Sequence, residues 1–138
     1  HGIMNEDSQI EHYSKLLGIR DYYDRFPNQL SGGQKQRVAL TRALCLKSDL
    51  LLMDEAFSAL DSLTKESLQE VLLQIHNKER QTIIFVTHNI EEAVFLGKQI
   101  FVMKDGSITN MIENESQGQR ETFGYFDMCQ KIRSILHD

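Results

Sequence analysis

The sequence predicts an α/β fold built on a parallel sheet, and three observations predict it. Leu50-Leu51-Leu52-Met53 is a short, wholly apolar run, the pattern of a strand covered on both faces. Thr82-Ile83-Ile84-Phe85-Val86 reads as the next strand. Between them Leu68, Val71, Leu72 and Ile75 recur at helical spacing. Strand, helix and strand over this length make a βαβ unit, so the two strands should run parallel with a right-handed crossover.

The remaining elements follow in order. Ile10, Tyr13 and Leu17 mark a first helix, with Asp7 or Ser8 as its cap and Gly18 as its stop. An irregular stretch through Pro27 leads to Leu30. From Gln34 to Lys47, Val38, Ala39, Ala43 and Leu46 mark one helix face, while Lys35, Arg37 and Arg42 favour solvent. After the second strand a short helix runs from Ile90 to Phe95, capped by Asn89 with Glu92 as its reciprocal partner. Ile100–Met103 and Ser107–Ile112 flank Lys104-Asp105-Gly106, whose Asp-Gly pair signals a hairpin. Glu113–Arg120 is polar and reads as a linker or mobile loop. Tyr125, Cys129, Ile132 and Leu136 share one face of a terminal helix, and Met53, Met103 and Met111 are expected in the core.

Bulk properties narrow the function classes. A chain of 138 residues suits one domain with a modest core. A net charge of −5 gives no support to nucleic acid as a partner, since phosphate binding favours a basic face. No apolar run approaches the roughly 18 residues of a membrane span, and the first seven residues carry no signal-peptide pattern. Cys45 and Cys129 lack metal-ligand spacing and read as reduced thiols of a cytosolic protein, with a disulfide between them as the alternative. No two histidines stand four apart beside a third ligand, so no metal cluster of that kind is expected.

Four groups of residues carry chemistry. Ser31-Gly32-Gly33-Gln34 fits a capping box at a helix start. Its two glycines cost helix stability, which suggests close approach of a ligand to the backbone, and a phosphate there would meet free N–H groups. Asp54 and Glu55 emerge where the apolar strand leaves the core, the end at which α/β sheets bind ligands. One carboxylate can hold hydrated Mg²⁺ while the other orients or deprotonates a water. His88 follows the neighbouring strand and can bond a terminal phosphate. Ser58-Ala59-Leu60-Asp61 reads, on local chemistry, as a turn and a helix cap.

In this order and spacing the residues resemble the ATP-binding cassette family of transporter ATPases. Leu30-Ser31-Gly32-Gly33-Gln34 matches the family's signature motif, Leu50–Asp54 its Walker B strand, Glu55 its catalytic glutamate, Ser58-Ala59-Leu60-Asp61 its D-loop and His88 its switch histidine. The flavour of Asp54–Asp61 and Thr87–Ala93 is closest to bacterial importers of the nitrate, sulfonate and taurine type, with Ala56 where proline is common and Asn89 where aspartate is common.

The resemblance implies a partial P-loop NTPase (RecA-like) parallel sheet, with residues 1–47 in the helical signature subdomain. Residues 48–112 would form the C-terminal part of the ATPase core, and 113–138 a linker and C-terminal helix. It implies two such domains sandwiching two ATP molecules head to tail, at the cytoplasmic face of the membrane. Their partners would be transmembrane permease subunits and, indirectly, a solute-binding protein. Asp54 would bind Mg²⁺, Glu55 would polarise the attacking water, and His88 would hold the γ-phosphate. Ser31 and Gly33 would contact the γ-phosphate bound by the opposite subunit, Gly32 and Gln34 would complete this nucleotide-binding motif, and Asp61 would communicate across the dimer. The alternatives are a non-transport cassette ATPase of DNA repair or translation, and a non-enzymatic interaction module.

No phosphate loop of the form G-x-x-x-x-G-K-[ST] occurs in these residues. Two expectations follow. The 138-residue chain alone should neither bind ATP tightly nor hydrolyse it. Its sheet should be incomplete, leaving an edge at Ile83–Val86 open to self-association.

Overall fold

A computed structural model describes residues 6–46 and 48–137. The chain divides within its second strand into two compact units, one ending at Ile84 and the other beginning at Phe85.

In the first unit, α1 spans Glu6–Leu16, α2 Gly32–Cys45, β1 Leu50–Asp54 and α3 Ser62–Glu79. The expected cap of α1 at Asp7 or Ser8 falls inside the helix, whose first described residue is Glu6. Its stop is as expected. Gly18 has φ +63°, its N–H reaches the Lys15 carbonyl at 3.3 Å, and the Ile19 N–H reaches the Ser14 carbonyl at 2.9 Å. This pair of bonds satisfies two end carbonyls through a left-handed residue, a role glycine fills without a Cβ penalty. Helix α1 packs on α2. The Tyr13 hydroxyl donates to Glu79 Oε2 at 2.5 Å and ties α1 to the end of α3. Burial and that carboxylate push the Tyr13 phenol well above its ordinary range.

Helix α2 begins two residues earlier than the periodicity suggested, and its buried face differs too. Leu40, Thr41 and Leu44 are buried, whereas Leu46 is 78% exposed. Arg37, expected in solvent, turns back to donate to the Leu17 carbonyl at 3.3 Å. Val38 and Ala43 are half-buried, and Ala39 is exposed. Alanines scattered around α2 blur its stripe, so the longer Leu40 and Leu44 decide which face turns inward.

Strand β1 pairs with β2, Thr82–Val86, in a two-stranded parallel sheet with α3 as the crossover. The apolar run of β1 is not covered on both faces. Leu51 and Met53 are buried, while Leu50 and Leu52 are exposed, at 44% and 67%. In β2, Ile84 is likewise 49% exposed. Side chains alternate across a sheet, and only one side of β1 is covered in this unit. The stripe on α3 is largely as expected: Leu68, Leu72 and Ile75 are buried, Val71 is half-buried, and Gln69 is buried with them.

In the second unit, α4 spans Ile90–Leu96, β3 Gln99–Lys104, β4 Ser107–Glu113 and α5 Phe123–His137. β3 and β4 form the expected antiparallel hairpin, with Asp105 at φ +51° and Gly106 at +76°. Two left-handed residues match the twist of the strands they join. Thr109 is an extra residue in β4, and its hydroxyl donates to the Val102 carbonyl at 3.2 Å. Met103 and Met111, expected in the core, are 60% and 64% exposed, because Ile100, Val102 and Ile112 take the covered face. Helix α5 packs on α4 and β3 through Tyr125, Cys129 and Ile132. Leu136, at 39% exposure, only partly joins them.

The polar stretch Glu113–Arg120 is fixed in place. Asn114 is buried, and its side-chain amide donates to the Val94 and Gly97 carbonyls, each at 2.6 Å. Gln117 donates to the Leu96 carbonyl at 2.7 Å, and the Gly118 N–H to the Phe95 carbonyl at 2.9 Å. The last carbonyls of a helix lack partners within it; here a distant loop supplies them. Arg120 adds its guanidinium 3.4 Å above the Phe95 ring. Asn114→Ala strands one buried and one half-buried acceptor and should destabilise the chain by about 2–3 kcal/mol in urea unfolding. A loss under about 0.5 kcal/mol would contradict the clamp.

Candidate functional site

The first site is built on the start of α2. Ser31 is the N-cap: its Oγ accepts the Gln34 N–H at 3.3 Å, and Gln34 Oε1 accepts the Ser31 N–H at 3.0 Å. The expected capping box is therefore closed. The Ser31 hydroxyl is a donor as well as an acceptor, so it keeps its proton for a ligand oxygen. The two glycines differ. A Cβ on Gly32 would meet nothing within 4 Å, which leaves open space before the helix end. A Cβ on Gly33 would come within 3.0 Å of Leu60 Cδ2. Close packing of Leu60 thus explains Gly33 without any ligand.

Leu60 belongs to a tight turn that follows β1. Glu55 leaves the strand with φ +49°, unusual for a residue with a Cβ. The Ser58 N–H then donates to the Glu55 carbonyl at 3.1 Å, and the Leu60 N–H to the Phe57 carbonyl at 3.2 Å. Asp61 ends the turn as N-cap of α3, its carboxylate accepting the Thr64 N–H at 3.0 Å. That bond holds the Asp61 carboxyl below the ordinary range. A depressed folded pKa means a stabilising contribution complete above the unfolded pKa and lost as pH falls through the folded one. Replacing Asp61 with Asn, a cap that does not titrate, should therefore flatten the acid side of the urea-midpoint profile. An unchanged profile would exclude the carboxylate as its source.

The structure brings the two motifs together: Ser31, Gly33 and Gln34 line one concavity with Leu60 and Asp61. Tyr22 and Arg37 line it as well, and local pattern did not mark either for this site. Arg37 had a usable signal, since it lies one turn after Gly33 on the same face of α2. Tyr22 had none, because the irregular chain before Pro27 gives no periodicity to place it.

Asp54 and Glu55 line a second groove together with Ala39 and Ala43 of α2 and the buried Phe57. Asp54 is exposed at the strand's end and Glu55 is half-buried, so the turn separates the two carboxylates in environment. His88 lies in the second unit, exposed between β2 and α4. The α4 cap is partly as expected. Asn89 Oδ1 accepts the Glu92 N–H at 2.9 Å, but the Glu92 carboxylate accepts from the Thr87 hydroxyl and does not reach back to Asn89. The Asn89 N–H donates to Thr87 Oγ1 at 3.0 Å instead.

Among the described residues, no group of three or more His, Cys, Asp and Glu is placed to hold a metal, and no helix is long and apolar enough to cross a membrane. Cys45 and Cys129 are free thiols, each pushed up in pKa by burial.

Residues 4–58 match the family profile described as ABC transporter, a span holding the first site's serine and glycines and both carboxylates. The backbone superposes with TM-score 0.70 on MJ0796, a bacterial ABC transporter cassette solved as a dimer. That match has 33% identity and covers 82% of this chain and 50% of MJ0796. The chain belongs to the ATP-binding cassette family. Its cassette relatives include the taurine import ATP-binding protein TauB of Rhizobium johnstonii, 38% identical over 89% of this chain and 52% of TauB. The glycine betaine/carnitine transport ATP-binding protein GbuA of Listeria monocytogenes is 52% identical over 67% of this chain and 23% of GbuA. The chain thus spans from about a quarter to about half the length of the cassette proteins it matches.

Proposed function

We propose that this chain is the signature-bearing part of the ATP-binding subunit of an importer. It would couple ATP hydrolysis in a head-to-tail pair of cassettes to uptake of a solute. The observation that carries this reading is the shared concavity of Ser31, Gly33, Gln34 and Asp61. It sets the start of α2 beside the cap of a second helix, so a phosphate held by another subunit would meet backbone N–H groups and the Ser31 hydroxyl together.

ATP and Mg²⁺ are the groups this part of the site would serve, with the β- and γ-phosphates cradled by residues outside these 138. ATP supplies the scissile phosphoanhydride, and Mg²⁺ a compensating charge. The exposed Asp54 carboxylate would hold the ion through water, and Glu55, half-buried at its strained turn, would orient the attacking water. His88 would bond the γ-phosphate. Gly32 and Gln34 would shape the helix start, and Asp61 would report the partner's state across the dimer. The partners proposed are a second ATPase subunit, membrane permease subunits and, through them, a solute-binding protein. The protein would sit at the cytoplasmic face of the membrane.

The chain alone lacks a lysine and loop to cradle the β- and γ-phosphates. Calorimetric titration of the purified 138 residues with Mg·ATP should therefore show no tight binding, and the preparation no hydrolysis. Hydrolysis by the chain alone that Glu55→Gln abolishes would overturn this assignment of the phosphate-binding role to residues outside it.

A further inference from the structure

His88 sits inside a closed ring of hydrogen bonds. The Thr87 hydroxyl donates to Glu92 Oε2 at 2.7 Å. The same Thr87 oxygen accepts the Asn89 N–H at 3.0 Å, and Asn89 Oδ1 accepts the Glu92 N–H at 2.9 Å. Glu92 is only 5% exposed, and Thr87 and Asn89 are half-buried. The ring therefore fastens the residues on both sides of His88 to the first turn of α4, leaving the imidazole itself exposed.

The far end of α4 is fastened as well, by the Asn114, Gln117 and Gly118 bonds to its last carbonyls. From α5, Tyr125 Oη donates to the Glu91 carbonyl at 3.3 Å, and Arg133 pairs with the Glu91 carboxylate. A seven-residue helix has little stability of its own. Held at both ends, it becomes a fixed base for the loop before it. The cap of α4 is already provided by Asn89. A buried carboxylate carries a desolvation cost that a simple cap does not require, and here it is aimed at the hydroxyl beside His88.

We propose that Glu92, acting through Thr87, is a positioning residue that fixes the backbone at His88 for phosphate contact. This rests on the reading of His88 as a phosphate ligand. Held geometry matters because a group that must find its position at each turnover loses rate without losing affinity.

Two measurements separate this proposal from the reading beneath it. The first is ¹³Cα relaxation dispersion at His88 in the 138-residue chain. Thr87→Val, which keeps the shape and removes the hydroxyl, should introduce exchange broadening confined to residues 87–89. Thr87→Ser should restore the quiet wild-type profile, and Glu92→Gln, which keeps an acceptor, should lie between. Wild-type dispersion in Thr87→Val, or broadening spread evenly over 85–137, would overturn the proposal.

The second uses an ATP-hydrolysing cassette in which these residues replace the matched half of MJ0796. There Thr87→Val should lower kcat on the order of 10-fold with KM within about twofold, and Thr87→Ser should restore it. A rise in KM alone would contradict the positioning role. If His88→Ala leaves hydrolysis intact, the phosphate-ligand reading fails, while the dispersion result still decides whether the ring holds His88.

Discussion

Phe57→Ala should destabilise the chain by about 3–5 kcal/mol, a large share of the roughly 5–15 kcal/mol that a domain of this size holds. Phe57 is 1% exposed, among the most completely buried large side chains. It sits in the turn between Glu55 and Asp61, where the Leu60 N–H bonds its carbonyl. Leu51, Met53 and Leu68 are buried too and line the same groove, so truncation leaves a cavity that the rest of the core closes only by moving. Loss of the ring also releases the turn that holds Glu55 at a positive φ, a conformation that costs about 1–3 kcal/mol and persists only when its surroundings enforce it. Phe57→Leu, which keeps most of the volume, should cost under about 1.5 kcal/mol. Urea unfolding of the three proteins measures this. Equal stability of wild type and Phe57→Ala would show that the turn is not anchored from below.

Glu55→Gln should lower the ATPase rate of the MJ0796 chimera roughly 100- to 10,000-fold, the range expected when a positioned acid or base is lost. The substitution keeps side-chain length and shape, so the strained turn and the Phe57 anchor survive it. Gln can still accept a hydrogen bond from water but cannot take its proton. The unfolding midpoint should move little, which separates a chemical defect from a folding one. A rate within a factor of about three of wild type would remove Glu55 from the chemistry. Ser31→Arg should produce a comparable loss by a different route, filling the open space before Gly32 and blocking the approach of a neighbour's phosphate.

What could be read from the sequence was local. The Ser31–Gln34 capping box, the Asp105-Gly106 turn, the Gly18 stop and the Asp61 cap each depend on partners a few residues apart, so spacing alone reveals them. The parallel pairing of β1 and β2 followed from strand, helix and strand in order.

What escaped depends on distant partners. Glu113–Arg120 looks like a linker because the carbonyls that Asn114 and Gln117 bond lie about twenty residues earlier. Arg37, expected in solvent, donates to the Leu17 carbonyl twenty residues away, a partner that no local pattern reveals. Phe57, hidden between acids and a cap, gave no periodicity to mark it. In the site, Asp54, Glu55, Ser31 and His88 stood out by their spacing and by the resemblance they carry. The packing of Leu60 on Gly33 and the Thr87–Glu92 ring did not, since both are tertiary contacts made by residues with ordinary local roles.

If the α2 start serves a nucleotide held by another subunit, dimerisation of the Glu55→Gln chimera, followed by light scattering, should depend on ATP. If hydrolysis resets the closed pair, blocking it should leave a stable dimer with Mg·ATP and a monomer without it. Adding Ser31→Arg to the same protein should leave it monomeric at saturating ATP, with nucleotide still bound. An ATP-dependent dimer that survives Ser31→Arg unchanged would show that the α2 start does not meet the partner's nucleotide.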